Sequence, residues 1–214
     1  MIERKRVDIL ISGRGTNMAA LIEAARDPSY PAQIKRVISN RRDAGGLSIA
    51  AANGIATLVI DHKAYPDRQA HEAALAAVLS ADMPDIICLA GYMRILSPGF
   101  VERHKGRMLN IHPSLLPAFT GLETHARAIA AGVKLHGASV HFVTEKLDDG
   151  PVVAQAAVPV LPGDTLQSLS DRVLKIENRL YPHALALVAS GRWQTAGGQP
   201  DEAFFQPPIA PQSP

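Results

Sequence analysis

Short apolar runs rich in β-branched residues alternate along the first half of the chain with stretches in which alanine recurs at helical spacing. The apolar runs occupy 7–12, 34–39, 56–60 and 85–90. The alanine-rich stretches between them occupy 17–27, 46–54 and 67–82. Strands that are apolar along their whole length are typical of a parallel sheet covered by helices on both faces. The pattern predicts an α/β fold, doubly wound around a mostly parallel, twisted sheet.

The pattern changes after the strand predicted at 108–111. Two further strands are predicted at 137–143 and 151–160, and only a short acidic turn separates them. Strands joined so closely pair antiparallel. We therefore expect an antiparallel C-terminal extension of the sheet.

A long helix from about Asp164 to Ser190 closes the predicted fold, with Asp164 or Thr165 as its N-cap. Pro182 is expected to kink or divide this helix. We predict a single domain over 1–193, and a tail over 194–214 whose Gly, Pro and Gln content predicts mobility.

The composition limits the classes of function. The chain has 214 residues, 47% of them hydrophobic, and a formal net charge of +2. The densest basic stretch, 3–6, is short and terminal, which indicates a solvated end rather than a nucleic-acid groove. The apolar stretch at 7–12 is too short for a signal peptide or a membrane span. The single cysteine, Cys88, lies in an apolar run, which fits a buried thiol in a reducing compartment. We expect a cytoplasmic protein that binds neither nucleic acid nor membrane.

The loop between the first strand and helix reads SGRGTN (12–17). The backbone amides of Gly15, Thr16 and Asn17 would point from a helix N-terminus at an anion. Glycines in such a turn also serve the backbone alone, so the loop by itself leaves that interpretation open. Met18 replaces the third glycine of the dinucleotide fingerprint, and no acid follows the second strand. The loop therefore suits a single phosphate group rather than a dinucleotide.

Asn110 and His112 end a buried strand in the segment MLNIHPSLLP. Residues two apart share one face of a strand, and ligands of parallel α/β sheets bind beyond the carboxyl ends of the strands. Pro113 fixes His112 in extended geometry. A structural asparagine and a backbone-bonded histidine are the alternative for such a pair taken alone.

The segment SVHFVTEKLDDGP adds His141 on a strand face, Thr144, and the acidic turn that contains Asp148. Such a turn is often only hairpin chemistry. Together with Asn110 and His112, however, it supplies an amide donor, an imidazole and a carboxylate. That set suits a developing oxyanion and proton exchange. No nucleophile elbow and no metal-ligand spacing occur in the sequence. We therefore expect direct transfer between two substrates without a metal.

Four motifs, SGRGTN, AGYMRILSPGF, LNIHPSLLPAFTG and SVHFVTEKLDDGPVVAQ, closely resemble those of the folate-dependent phosphoribosylglycinamide formyltransferases. The resemblance runs over about 7–190 with the motifs in order. It implies the formyltransferase fold, with an N-terminal, Rossmann-like, phosphate-binding half that ends at about residue 105 and a folate-binding and catalytic half after it. It also implies formyl transfer from 10-formyltetrahydrofolate to 5-phosphoribosylglycinamide in purine synthesis, and it suggests a homodimer.

The resemblance also implies roles for individual residues. Asn110, His112 and Asp148 match the catalytic trio, and His141 matches a supporting histidine. The ribonucleotide's phosphate would bind to Gly15, Thr16 and Asn17, and its ribose to Glu177. The positions that match the folate site are Arg68, Met93, Arg94, Ile95, Leu96, Asn110 and Thr144.

Two other kinds of function stay open at this point. A methionyl-tRNA formyltransferase is expected to carry a further C-terminal domain, and a formyltetrahydrofolate hydrolase an extra N-terminal one. A nucleotide-binding module without turnover could keep the same fold. The presence of all three trio residues favours the transferase.

Overall fold

The computed structural model describes residues 3–193, and the predicted mobile tail lies outside them. Seven strands form one sheet in the order β3-β2-β1-β4-β5-β6-β7. The first five strands are parallel to one another, and β6 and β7 are antiparallel to their neighbours. The predicted sheet and its antiparallel extension are confirmed. The strands are β1 Lys5–Ile11, β2 Ala32–Ser39, β3 Ala56–Val59, β4 Ile86–Leu89, β5 Met108–His112, β6 Leu135–Phe142 and β7 Val152–Pro159.

Within the described residues six α-helices accompany this sheet: α1 Thr16–Ala24, α2 Gly45–Ala52, α3 Arg68–Ala81, α4 Pro98–Arg103, α5 Thr124–Ala130 and α6 Leu166–Ala189. The two short helices, α4 and α5, were not predicted, because neither is long enough to show a helical apolar pattern. Ser97 caps α4 by accepting the N–H of Phe100, and Pro98 occupies its first turn.

The sheet is buried on both faces, which explains the continuously apolar strands. One face packs against α1, α2 and α6, and the other against α3 and α4. On β1, Ile9 and Ile11 face the first layer, whereas Leu10 faces the second. All three side chains are completely buried. Every position of the central strand must therefore be apolar or paired.

The closing helix α6 runs unbroken through Pro182, so the prediction that proline divides it is wrong. Thr165 is the N-cap, as one of the two predicted alternatives had it, and forms a reciprocal capping box with Ser168. Tyr30 donates its hydroxyl to the carbonyl of Pro182 at 2.6 Å. On the buried face, the Tyr181 hydroxyl lies 3.1 Å from the Leu89 carbonyl and 3.0 Å from that of Leu109. These contacts hold the helix in place, and their free energy offsets the cost of the backbone hydrogen bond that proline cannot make.

The strand order reverses beside β1, which pairs with β2 on one side and β4 on the other. Such a reversal opens a crevice at the carboxyl ends of the strands. Ser12 follows β1, Gly91 follows β4, and His112 ends β5 at this edge. Among residues 3–193 no helix is long and apolar enough to cross a membrane.

A buried ion pair joins β1 and β2. Asp8 lies on β1 and is completely buried. Its Oδ2 accepts a hydrogen bond from Arg36 Nε at 2.8 Å and lies 2.7 Å from Arg36 Nη2. Its Oδ1 has no partner among the described residues. Burial raises the pKa of Asp8, and Arg36 opposes that shift. Arg36, with a smaller contribution from Lys35, thus keeps an ionised carboxylate tolerable inside the fold.

We predict that Arg36→Met lowers the free energy of unfolding at pH 7 by about 3–5 kcal/mol, because it strands a buried charge. Urea denaturation measures the loss. The deficit should shrink as the pH falls, since a protonated Asp8 needs no counter-charge. The double variant Asp8→Leu with Arg36→Met should recover most of the stability. Equal losses in the single and double variants would contradict this account.

Candidate active site

The loop after β1 forms an anion-binding turn at the start of α1. Gly15 is the N-cap and has a φ of 77°, in the left-handed region that favours glycine. No side chain caps the helix. The N–H groups of Thr16 and Asn17 therefore face the helix end without an intrahelical partner. With the partial positive charge of the helix terminus, they suit a single phosphate group.

The start of α2 packs directly against this loop. The Gly46 N–H donates to the Gly13 carbonyl at 3.0 Å. A Cβ on Gly15 would lie 2.8 Å from the Gly46 Cα, so the two backbones approach too closely for a side chain. Gly46 was missed in the sequence, because it lies far from the loop in the chain and its own stretch predicted only a helix.

Glu177, on the buried face of α6, lies beside the loop. The Asn17 amide donates to Glu177 Oε2 at 3.1 Å. Burial raises the pKa of Glu177 to about 6, and the Asn17 hydrogen bond partly offsets the shift. The structure thus brings together two residues that are 160 positions apart and that the resemblance assigns to the same substrate.

Arg14 is a charged residue of the loop that sequence reasoning missed. It lies between the two glycines and is exposed. Among the described residues its guanidinium takes part in no ion pair or hydrogen bond. The signal was present in the motif SGRGTN, but the glycine pattern does not depend on the residue at this position. An unpaired guanidinium next to an anion site can add bidentate hydrogen bonds to a phosphate.

Asn110 contacts His141 across the antiparallel β5–β6 pair, with Asn110 Nδ2 3.2 Å from His141 Nε2. His141 Nδ1 lies 2.9 Å from the carbonyl of Phe142, which can only accept. Burial lowers the pKa of His141, so its Nε2 is a neutral acceptor. This bond uses one amide hydrogen of Asn110 and leaves the other for a ligand.

Asp148 lies against His112 and His141. Its Oδ2 is 3.5 Å from His112 Nδ1, and its Oδ1 is 3.8 Å from His141 Nε2. The Gly121 N–H donates to Asp148 Oδ2 at 2.8 Å. Asp148 has a φ of 52°, a strained value for a residue with a side chain. The structure thus brings the amide, the imidazole and the carboxylate expected from the sequence into one cluster.

The glycine of the acidic turn allows this placement. A Cβ on Gly150 would collide with the carbonyl of Phe142 on β6. The next residue, Pro151, accepts the Phe142 N–H at 2.9 Å. The end of the turn therefore lies directly beside the end of β6, where there is no room for a side chain, and Asp148 lies two residues before this contact.

His112 is held more tightly than the sequence suggested. Its Nε2 lies 3.0 Å from the Phe119 carbonyl and therefore donates to it. Phe119 and Glu123 also have positive φ values, 54° and 56°. In this arrangement both ring nitrogens of His112 face protein groups, Nδ1 toward Asp148 and Nε2 toward the Phe119 carbonyl.

A second pair of histidines lies next to His112 and was missed. His136 Nε2 is 3.1 Å from His125 Nδ1. Burial and the neighbouring imidazoles lower the pKa of His136 to about 4. His125 lies at the start of α5 and His136 on β6, so no spacing in the sequence connects them. Burial lowers the pKa of His125 as well, so the surroundings of this pair favour the neutral form of both rings.

The segment after β4 presents the apolar surface expected for folate. Met93 and Ile95 expose 71% and 67% of their surface. Arg94 is half-buried, and Leu96 packs against the second core layer. Exposed Met93 and Ile95 thus alternate with the partly buried Arg94 and Leu96. The segment is held at every second residue and exposes apolar side chains between them.

Arg68 and Thr144, the other two expected folate residues, make their contacts away from the Asn110 cluster. Arg68 begins α3, and its Nε lies 3.9 Å from Glu72 Oε1. Glu72 in turn accepts the N–H and hydroxyl of Ser97, which connects Arg68 to the segment after β4. Thr144 donates to the Lys146 carbonyl at 3.1 Å in the turn before Asp148.

Within residues 3–193 no group of three His, Cys, Asp or Glu side chains has the arrangement of a metal site. The cluster around Asn110 offers amide donors, imidazoles and one carboxylate, at the same edge of the sheet as the loop that suits phosphate. These groups can stabilise an oxyanion and move protons.

Comparison with known proteins agrees with this geometry. The sequence profile described as formyl transferase matches residues 5–185. The Escherichia coli phosphoribosylglycinamide formyltransferase is 45% identical over 184 residues, which is 86% of this chain and 87% of that protein. The crystal structure of phosphoribosylglycinamide formyltransferase from Brucella melitensis is 57% identical with a TM-score of 0.85. The structural match covers 91% of this chain and 100% of the Brucella melitensis chain.

Some relatives are much longer proteins. The Bos taurus trifunctional purine biosynthetic protein adenosine-3 is 50% identical over 189 residues, which is 88% of this chain but 19% of that protein. The chain thus spans about a fifth of the length of such relatives. The profile match and the full-length bacterial relatives lead to one conclusion: the chain belongs to the formyl transferase family.

Proposed function

We propose that the protein transfers the formyl group of 10-formyltetrahydrofolate to the amine of 5-phosphoribosylglycinamide, a step of purine biosynthesis. The products are formylglycinamide ribonucleotide and tetrahydrofolate. The observation that carries the proposal is the cluster of Asn110, His112 and Asp148 at the carboxyl end of β5. Its amide, imidazole and carboxylate match the needs of attack on a formyl carbon, and the bacterial relatives carry the corresponding name.

Asn110 acts on the formyl oxygen. When the substrate amine attacks the formyl carbon, the carbonyl oxygen gains negative charge in a tetrahedral intermediate. The amide hydrogen that His141 leaves free can donate to this oxygen. Because His141 fixes the orientation of the amide, little reorganisation is needed during the reaction.

His112 and Asp148 act on protons. The attacking amine must lose a proton, and the folate nitrogen must gain one as its bond to the formyl carbon breaks. An imidazole 3.5 Å from a carboxylate can carry that proton between the two nitrogens. Direct donation from His112 Nε2 requires that the Phe119 carbonyl moves away, whereas transfer through Nδ1 or a water leaves that bond intact.

The ribonucleotide binds with its phosphate on the amides of Gly15, Thr16 and Asn17 and its ribose against Glu177. Arg14 adds the positive charge that the rest of the loop lacks. The folate lies along the apolar side of Met93 to Leu96, with Asn110 and Thr144 toward its reactive end and Arg68 toward its acidic tail. Residues from both sides of about residue 105 contribute to each substrate site, since Glu177 joins the phosphate loop and Asn110 joins the segment after β4.

The partners of this proposal are the two small-molecule substrates, and neither nucleic acid nor membrane takes part. We place the protein in the cytoplasm, because its only cysteine, Cys88, is completely buried and forms no disulfide. A homodimer follows from the family resemblance, and light scattering in solution decides it.

A turnover assay tests the function directly. Tetrahydrofolate should form only when 10-formyltetrahydrofolate and 5-phosphoribosylglycinamide are both present. Formate release without the ribonucleotide would indicate a hydrolase instead. Binding of the ribonucleotide without any product would indicate a module that has lost turnover.

We predict that Asn110→Ala lowers kcat by about 10² to 10³, the usual scale for one oxyanion donor. The thermal melting curve should stay close to that of the wild type. Asn53→Ala, at the end of α2 and outside the cluster, is the matched control. Activity of the Asn110 variant within a few-fold of wild type would exclude the oxyanion role.

We predict that Gly15→Val or Gly15→Ala weakens ribonucleotide binding at least tenfold and folate binding much less. The added Cβ would press on Gly46 and distort the phosphate turn. Gly13→Ala is the matched control in the same loop, because its Cβ would meet nothing within 4 Å. Calorimetry with each ligand gives both affinities. Equal losses for the two ligands would mean that the loop does not bind phosphate.

We predict that the KM for the ribonucleotide rises as the pH falls through about 6, the raised pKa of Glu177. Below that pH the carboxyl group is protonated and no longer accepts two ribose hydroxyls. The substrate's own phosphate titrates nearby, so the comparison is with Glu177→Gln. This variant should show a higher KM at pH 7.5 and a flatter profile. A wild-type slope that persists in the variant would assign the effect to the phosphate.

A further inference from the structure

A chain of hydrogen bonds crosses the crevice where the strand order reverses. Ser12, the residue after β1, donates its N–H to the Gly91 carbonyl at 3.1 Å. Its hydroxyl accepts the N–H of Met93 at 2.8 Å. One side chain therefore holds the start of the Met93–Leu96 segment, and the next residue begins the phosphate loop.

The hydroxyl takes over where the backbone ladder of β1 and β4 ends. Ala90 N–H donates to Leu10 at 2.9 Å and Ser12 N–H to Gly91, which continues the parallel pairing. The Gly13 carbonyl is occupied by the N–H of Gly46. From Gly13 onward, the loop after β1 therefore bonds to the start of α2 rather than to the segment after β4. The Ser12 side chain supplies the acceptor for the Met93 N–H.

Asn40 fixes the direction of that hydroxyl. The Ser12 hydroxyl donates to Asn40 Oδ1 at 2.6 Å, and both residues expose only 3% of their surface. Asn40 follows β2, and its carbonyl accepts the backbone N–H of His62 at 3.1 Å. With its one proton committed to Asn40, Ser12 must present a lone pair to Met93.

We propose that Ser12 is a positioning residue that sets the folate-binding segment at a fixed distance from the phosphate loop. It touches neither reacting group and acts through the backbone of Met93. The inference rests on the proposed function, in which the two substrates bind on either side of this contact. A displacement of about 1 Å between two bound reactants can cost about 10² in rate, so loss of this contact affects catalysis beyond its effect on stability.

The test compares Ser12→Ala with Ser39→Ala. Ser39 ends β2 and is also completely buried, but its hydroxyl bonds only within its own turn, to Arg41. Both variants lose one buried hydroxyl. We expect kcat/KM for 10-formyltetrahydrofolate to fall at least tenfold in Ser12→Ala, with a KM for the ribonucleotide within about threefold of wild type. Ser39→Ala should keep both constants near wild type even if its melting temperature falls.

Two further variants keep the test decisive. Ser12→Thr retains the hydroxyl and should recover most of the lost kcat/KM. Asn40→Ala leaves Ser12 in place but frees its hydroxyl, and it should give a smaller loss of the same kind. Equal losses in Ser12→Ala and Ser39→Ala, or no change in kcat/KM with folate, would overturn the proposal.

Direct folate binding separates this inference from the proposed function. Tetrahydrofolate affinity, measured by calorimetry, does not require turnover. If the wild type forms no product, the proposed function fails, but weaker tetrahydrofolate binding in Ser12→Ala than in Ser39→Ala still supports the positioning role. If the wild type turns over and both serine variants bind tetrahydrofolate and react as it does, only the inference fails.

Discussion

The carboxylate of Asp148 connects the parts of the site that the chain keeps far apart. It faces His112 from β5 and His141 from β6, and it accepts the N–H of Gly121 from the loop after β5. A buried carboxylate needs such partners, because desolvation without them is costly. The same contacts that stabilise the charge therefore close the loop and orient the imidazoles.

This arrangement contains local backbone strain. Asp148, Phe119 and Glu123 all adopt left-handed backbone conformations that non-glycine residues rarely populate. All three lie within the two segments that meet at His112. Gly150 permits the close approach of the Asp148 turn to the end of β6. The surrounding sheet is continuous and mostly apolar, so a rigid scaffold offsets the cost of these conformations, which are concentrated around His112.

The two proposed substrate sites depend on one feature of the topology, the reversal of strand order at β1. It places the loop after β1 and the segment after β4 on either side of a single crevice, with β5 and the proposed catalytic groups next in the sheet. Ser12 stands at the centre of this edge. In the middle of β1, the ion pair of Asp8 and Arg36 stabilises the same strand. The proposed binding edge and the buried ion pair thus share β1.

The sequence alone determined the layers of the fold and the residue types of the site. Continuously apolar strands between alanine-rich helices can be buried only in a parallel sheet covered on both faces, so periodicity was sufficient. The glycines of the phosphate loop and the pair at 110 and 112 were also visible, because both patterns are local. Periodicity did not predict the continuity of α6 through Pro182, because tertiary contacts from Tyr30 and Tyr181 hold that helix together.

Only the tertiary structure decided which distant groups meet. The contacts of Asn17 with Glu177, of Gly15 with Gly46, and of His125 with His136 span 11 to 160 residues and follow no spacing rule. The bond from His112 to Phe119 depends on a loop conformation with positive φ, which side-chain identity does not reveal. Local sequence fixes the chemistry available at each strand end, whereas the order of the strands and the close backbone approaches fix which of those groups act together.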